Sequence, residues 1–220
     1  MLPAADWWNN LAAYSQSIFP AQIIFYLGCD FLVLLYIFKP LKQIDQLIKV
    51  FFIICFGWIG LFFFLMLGQD LPAHIMQAGL FLSIAACFLV DLLTNSNRFH
   101  LPTKGWRRTV PIIGFGLVLV MYPLTGFLMG RPANQWIVPG TFPCPTTALS
   151  LLFISTAIPR KNRWLYAVLF MQLLIWAIPF PIMIQIPKYG VYEDAIMLSA
   201  GIYNIFLMVL RLKKRKKSFA

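Results

Sequence analysis

Pro139-Gly140-Thr141-Phe142-Pro143-Cys144-Pro145-Thr146-Thr147 is the stretch that decides how this chain must fold. Its three prolines lie within seven residues; they remove three backbone N–H donors and fix three φ angles. Twelve apolar or hydroxyl residues follow, 148–159, and then the basic cluster Arg160-Lys161-Arg163. A helix over 145–159 would span only ~22 Å, short of the ~30 Å hydrocarbon core of a bilayer. Non-helical backbone at membrane depth is tolerated only where protein buries it or it lines a wet cavity. The run through Thr147 therefore reads as the non-helical wall of a polar pocket, leading into a shortened helix. Thr146 and Thr147 are placed to cap the free N–H groups of that helix start.

The composition around this stretch belongs to a membrane. Of the 220 residues, 60% are hydrophobic and 11% are charged, against about 25% charged in soluble domains. The mean hydropathy is +0.78. One transmembrane domain over 1–220 is expected. The net charge of +11 sits in short clusters between apolar runs, which is membrane topology and excludes nucleic acid as a partner. Cys29, Cys55, Cys87 and Cys144 are isolated, so neither a disulfide framework nor zinc-finger spacing is present. Residues 1–17 lack the basic start of a cleavable signal and carry Asp6 as their only charge. They read as an outer segment, either amphipathic with Trp7 and Trp8 as interfacial anchors or a plain lead-in.

Seven apolar runs can be counted, at about 18–38, 47–67, 73–93, 110–129, 145–158, 164–186 and 191–210. The loops between them alternate in charge. Lys39, Lys42 and Lys49 mark the first; 68–72 has no Lys or Arg; Arg98, Lys104, Arg107 and Arg108 mark the third. Arg131 is alone in 130–141, Arg160, Lys161 and Arg163 follow, and Lys188 is alone in 187–189. The tail 211–220 is the most basic segment. Basic loops stay in the cytoplasm. The expected fold is an all-α integral membrane protein, a bundle of seven transmembrane helices with its N-terminus outside and its C-terminus in the cytoplasm. The tail would dock on anionic lipid or on a protein partner. Trp7, Trp8, Trp106, Trp136 and Trp164 fall near run ends, as interfacial belts require; Trp58 and Trp176 are interior and read as packing residues.

In that topology the polar residues gather toward the outer side. Gln22 lies in the first helix, His74 and Gln77 open the third, and Tyr122 is in the outer half of the fourth. Cys144, Thr146 and Thr147 open the fifth, and Glu193 and Asp194 open the last. Asp30 lies deeper. An ionised residue at the bilayer centre costs at least ~2.5 kcal/mol, so Asp30 is a functional candidate unless it merely joins two helices. Asp91 is expected at the cytoplasmic interface, paired with the arginines of its loop. Asp194, Met197, Gly201, Asn204 and Met208 share one stripe of the last helix, which should face the bundle, with Gly201 allowing close approach. Cys144, His74 and Asp194 form a weak soft-metal set; a buried structural thiol or an anion at the helix start are the alternatives. No GxSxG, HExxH, Walker or GxGxxG pattern occurs, so no catalytic residue and no cofactor are assigned. No lysine lies midway along the seventh run to anchor retinal.

Ala13-Tyr14-Ser15, Phe19-Pro20-Ala21-Gln22, Trp58-Ile59-Gly60, Tyr122-Pro123-Leu124, Phe142-Pro143-Cys144-Pro145-Thr146-Thr147 and Glu193-Asp194 together resemble a family of bacterial multi-pass membrane proteins. That family is catalogued as a domain of unknown function, and its members are sometimes labelled permeases. The resemblance covers nearly the whole chain, and the Pro-Cys-Pro-Thr-Thr run is its most specific part. Where the family carries His in the second helix, this chain has Phe62-Phe63-Phe64, so a His-based chemistry is not carried over. The resemblance implies a bacterial inner-membrane protein and supplies no substrate.

The expected function is an outward-facing polar pocket that binds or conducts a small solute or ion, as a permease or channel does. The alternative is a non-transporting subunit or scaffold whose polar residues join helices and whose partners are other membrane subunits; a membrane enzyme ranks third. The topology is testable with single cysteines at positions 70 and 103 in an otherwise Cys-free protein. Position 70 should label from outside and position 103 only after permeabilisation. Labelling of position 103 from outside would reject the arrangement.

Overall fold

The computed structural model describes residues 3–39, 41, 43–71 and 73–218, with side chains as far as Arg211. In chain order the elements begin with α1 (Ala4–Ser17), α2 (Ala21–Phe38) and α3 (Ile44–Trp58), which π-helical turns continue over Ile59–Met66. Next come α4 (His74–Thr94), β1 (Asn97–Phe99) and α5 (Trp106–Gly116); a π-helical stretch, Leu117–Met121, joins α5 to α6 (Tyr122–Leu128). After a single 3-10 turn follow α7 (Pro143–Ser155), β2 (Ala157–Pro159) and α8 (Arg163–Ala177). A third π-helical stretch, Pro181–Gln185, leads to α9 (Ile186–Tyr189) and α10 (Asp194–Ser218).

Among the described residues, six helical units are long and apolar enough to cross a membrane: Ala21–Phe38, Ile44–Met66, His74–Thr94, Trp106–Leu128, Arg163–Tyr189 and Asp194–Arg211. The shorter apolar α7 joins them in an all-α bundle of membrane type. Large apolar side chains such as Ile24, Phe31, Phe127 and Met183 lie exposed on its outside, as a lipid-facing surface requires.

Residues 137–157 are buried without interruption, and the bundle is built around them. Every residue of α7 is buried, with α10, α8, α5 and α3 packed on its sides. Gly114 lets α5 close on Leu152 of α7, and Gly201 lets α10 close on Ala177 and Ile178 of α8. Non-helical backbone ends at Phe142, earlier than the sequence suggests, because Pro143 opens α7. The first N–H groups of a helix have no intrahelical acceptor, so prolines there lose no bond and preset φ. Cys144, Pro145, Thr146 and Thr147 thus form the first turn.

Side-chain hydroxyls serve the local carbonyls. The Thr141 carbonyl, just before α7, accepts the Tyr14 hydroxyl at 2.9 Å. Pro123 has no N–H for the Leu119 carbonyl, which accepts the Tyr26 hydroxyl at 2.7 Å. Thr146 does not cap α7. Its hydroxyl accepts the Gly140 N–H at 2.8 Å and donates to the Phe142 carbonyl at 2.6 Å, clamping the loop instead. The Thr147 hydroxyl is buried and makes no hydrogen bond among the described residues.

The opposite end of α7 is closed by a two-stranded clasp, with Asn97 opposite Pro159 and Phe99 opposite Ala157. Lys49, expected in a basic turn, lies inside α3 and is fully buried. Its ammonium sits 3.3 Å from Asp91 Oδ1 and donates to the carbonyls of Asn97 at 2.8 Å and Asp91 at 3.2 Å. Asp91 therefore pairs with Lys49, not with the loop arginines. Strand alternation buries Asn97 and Phe99 and turns Arg98 outward, where it lies 3.7 Å from Asp45.

On α10, Asp194, Met197, Gly201 and Asn204 are buried as one stripe, and the Asn204 amide donates to the Leu151 carbonyl at 2.9 Å. Met208 departs from it and is exposed, with Leu207 buried in its place. The basic tail beyond Arg211, expected to meet anionic lipid or a partner, lies outside the described side chains.

Gly140 has φ +102°, and a Cβ there would stand 2.7 Å from Phe25 Cβ and 3.2 Å from its carbonyl carbon. Gly130 has φ +69° with nothing within 4 Å of such an atom. Gly130→Ala should cost about 1 kcal/mol in unfolding experiments in detergent, the penalty of a left-handed conformation. Gly140→Ala should cost about 3 kcal/mol, because overpacking against α2 is added. Equal costs would mean that the loop is not wedged against α2.

Candidate functional site

At the end of the bundle where α7 begins, α1 lies across the helix ends. Its Tyr14 hydroxyl donates to Thr141 and accepts from the Trp58 indole at 3.0 Å. Burial holds the Tyr14 phenol above its ordinary pKa range, so it remains a donor. Trp7 stacks on Tyr189 at 4.8 Å between ring centroids, and the Trp8 indole donates to the Tyr189 carbonyl at 3.1 Å. The expectation of Trp7 and Trp8 as membrane anchors is therefore corrected. Trp7 is buried, and both rings fasten α1 to the bundle because Tyr189 offers a face and a carbonyl.

Beneath α1 is a cavity of ≈ 80 Å³. Trp7 and Leu11 of α1 form its roof, Phe63 and Phe64 come from the π-helical end of α3, and Phe142, Pro143 and Cys144 come from the start of α7. Trp176, Phe180, Ile184 and Gln185 close the side toward α8, Tyr189 and Val191 lie near the roof, and Asp194 lies at the start of α10. Leu71 and Gln77 complete the wall; with Phe180 and Ile184 they are the half-buried members, so the cavity nears the surface on that side.

Asp194 is fully buried. Its Oδ1 accepts the Tyr122 hydroxyl at 3.2 Å, and its Oδ2 makes no hydrogen bond among the described residues. The Cys144 thiol lies beside this carboxylate and beside the Trp176 indole. Glu193 is also buried, but its charge is matched: Arg131 Nη1 lies 2.5 Å from Glu193 Oε1. Arg131 further donates to the Gly190 carbonyl at 2.9 Å and stands 4.1 Å above the Trp8 ring. One carboxylate is neutralised and the other faces the cavity.

The structure brings Cys144, Tyr122, Glu193 and Asp194 together and leaves other candidates apart. His74 makes a local bond from Nδ1 to the Leu71 carbonyl at 3.1 Å and does not line the cavity. Gln22 reaches the Trp136 carbonyl at 3.5 Å, and Thr146 serves the loop. Asp30 sits half-buried midway along α2, near Tyr26 and away from the cavity. No group of three or more His, Cys, Asp or Glu side chains converges among the described residues, so His74 does not complete the soft-metal set. Sequence reasoning missed Trp176 as a wall, Gln185 and Arg131. The signals were present: a second glutamine, after Gln172, inside the apolar run 164–186, and a single arginine in a loop otherwise without basic residues.

A family model described as a family of unknown function, DUF6064, matches residues 4–219. The chain belongs to the DUF6064 family. No curated protein and no solved structure matches it. The DUF6064 match takes in α1 together with the bundle, so the roof of the cavity and its walls lie within one family unit.

Removing one partner of a buried ion pair leaves an uncompensated charge and typically costs 3–5 kcal/mol. Arg131→Ala should destabilise the protein by about 3 kcal/mol in thermal or denaturant unfolding. Arg131→Ala combined with Glu193→Gln should recover most of that loss. A double variant no better than the single one would show that Arg131 acts through Trp8 and Gly190 alone.

Proposed function

We propose that this protein is a seven-span bacterial inner-membrane protein whose cavity under α1 receives a small solute from outside, in the manner of a permease or channel. The single observation that supports this reading is the cavity wall itself. A fully buried aspartate keeps one oxygen without a protein partner where it borders a space with room for several waters. Asp91 also keeps its Oδ2 without a partner, but its charge is matched by Lys49, whereas Asp194 makes no ion pair among the described residues.

The orientation follows from charge. The end that carries the cavity has Arg131 and Lys188 as its described basic side chains, and the clasp end carries Arg98, Arg107, Arg108, Arg160, Lys161 and Arg163. Basic residues mark the cytoplasmic side, so the cavity faces outward and α7 counts as the seventh span. Full enclosure supports α7 in that role despite its length, because its exposed ends need not meet lipid. The half-buried side at Leu71, Gln77, Phe180 and Ile184 is the shortest way in, and Trp7 and Leu11 of α1 cover the space beside it.

A second reading, a subunit of a larger membrane complex, has one observation in its favour. A groove of ≈ 320 Å³ between α5 and α10 is lined by Gly114, Ala195, Ser199 and Ala200, the small residues that let helices approach closely. The Tyr203 hydroxyl borders it without a partner among the described residues. A transmembrane helix of a partner fits that surface.

The solute reading is tested by the reactivity of Cys144. With Cys29, Cys55 and Cys87 replaced by Ala, methyl methanethiosulfonate added outside should label Cys144. Leu11→Ala should raise the rate several-fold by thinning the roof. No labelling in either protein, confirmed by labelling of the same thiol after denaturation, would reject an outward-facing cavity.

A further inference from the structure

We propose that the cavity selects a small protonated amine, held by Asp194 and by the surrounding aromatic faces. This rests on reading the cavity as a solute site and names the chemistry of the solute. Trp7, Phe63, Phe142, Trp176, Phe180 and Tyr189 all contribute to its lining. Aromatic faces carry negative potential and attract ammonium groups, and such enclosures recognise alkylammonium ligands. The fixed charge agrees. Glu193 is neutralised by Arg131, whereas Asp194 makes no ion pair among the described residues. Its immediate polar neighbours, Tyr122 and Cys144, bring no positive charge. An anion would meet a carboxyl group in a largely aromatic and apolar wall that offers no cation.

The hydrogen-bonding inventory narrows the class further. Asp194 Oδ2 and Gln185 Oε1 are buried acceptors on this wall without partners among the described residues. The Cys144 thiol beside Asp194 is at most a weak donor to it, so an occupant with N–H groups is the stronger partner for both. A neutral apolar guest would leave them unsatisfied, which is the costly outcome for buried polar atoms. A quaternary ammonium has charge but no N–H. A primary to tertiary ammonium has both, and its alkyl groups match the aromatic lining. The orphan donor on the wall, Trp176 Nε1, has the Cys144 sulfur beside it as a weak acceptor.

The test uses the purified full chain in detergent and one carbon skeleton in two charge states: tert-butylammonium chloride and tert-butanol. Tetramethylammonium chloride and sodium acetate complete the series, with sodium chloride as the salt control. Thermal stability and tryptophan fluorescence report binding, since Trp7 and Trp176 form part of the wall. tert-Butylammonium should act at concentrations about tenfold or more below tert-butanol, tetramethylammonium should be weaker than tert-butylammonium, and acetate should do nothing beyond the salt control. Asp194→Asn should weaken the amine by about tenfold or more and leave tert-butanol unchanged. If Asp194→Asn does not fold, the wild-type comparison of amine and alcohol decides alone. Equal response to the two, or amine binding untouched by Asp194→Asn, overturns the amine assignment and leaves a solute site standing. Failure of every probe, together with a Cys144 that never labels from outside, overturns both.

Discussion

The constraint on which this structure depends is that irregular backbone cannot face lipid. Residues 136–142 are non-helical and α7 is only 13 residues long, so the chain around them must supply every hydrogen bond and every neighbour that the bilayer cannot. It does so by enclosing residues 137–157 completely. That enclosure dictates where the glycines fall. Gly114 and Gly140 stand where α5 meets α7 and where the loop meets α2, and a methyl group at either position would collide with its neighbour. It also dictates the role of Tyr14, whose hydroxyl donates to the carbonyl of the non-helical Thr141 and thereby ties α1 to the loop.

Each end of α7 has a cation paired with a carboxylate, and each end also keeps buried carboxylate oxygens without a partner among the described residues, Asp91 Oδ2 at one and Glu193 Oε2 and Asp194 Oδ2 at the other. At the clasp, Lys49 gathers Asp91 and the carbonyls of the β1 turn, and the Asp91 carboxylate in turn accepts the Asn97 N–H at 2.7 Å. At the cavity end, Arg131 gathers Glu193, the Gly190 carbonyl and the Trp8 ring. The cavity end has an additional carboxylate, Asp194, that Arg131 does not bond. The cation at each end thus matches one carboxylate, and the cavity end has a second carboxyl group, Asp194, beside a space.

The helices were legible because hydropathy is a long-range average that single errors do not disturb. Each apolar run became a helix, and the last helix buried Asp194, Met197, Gly201 and Asn204 as their spacing predicts. Local geometry was less legible. Prolines read as breakers at 143 and 145, yet in a first turn they start a helix. Met208 left the stripe because a spacing of 3.6 drifts over four turns and Leu207 takes the inward place. Lys49 could not be recognised as buried because its partner lies 42 positions away. The π-helical turns hid part of the cavity: over Ile59–Met66 and Pro181–Gln185 the phase of the helix shifts, which puts the adjacent Phe63 and Phe64, and also Gln185, on its wall.

Those π-helical stretches also bear on why the cavity exists. They lie in the same half of the bundle: one delivers Phe63 and Phe64, another delivers Ile184 and Gln185, and the third ends just before Tyr122, whose hydroxyl donates to Asp194. A π turn is less favourable than an α turn and persists where the surroundings require its geometry. Pro123 and Pro181 account for two of them, since neither residue can donate to the carbonyl four positions back. Nothing of that kind acts on Ile59–Met66, which contains no proline. There the widened turn turns two phenylalanines toward the space under α1. Packing alone would be better served by an ordinary helix and a filled cavity, because each void forfeits contacts. Two of the three departures from regular helix thus place side chains on the wall of one space and the third precedes Tyr122, which bonds Asp194, and one of them has no proline to cause it.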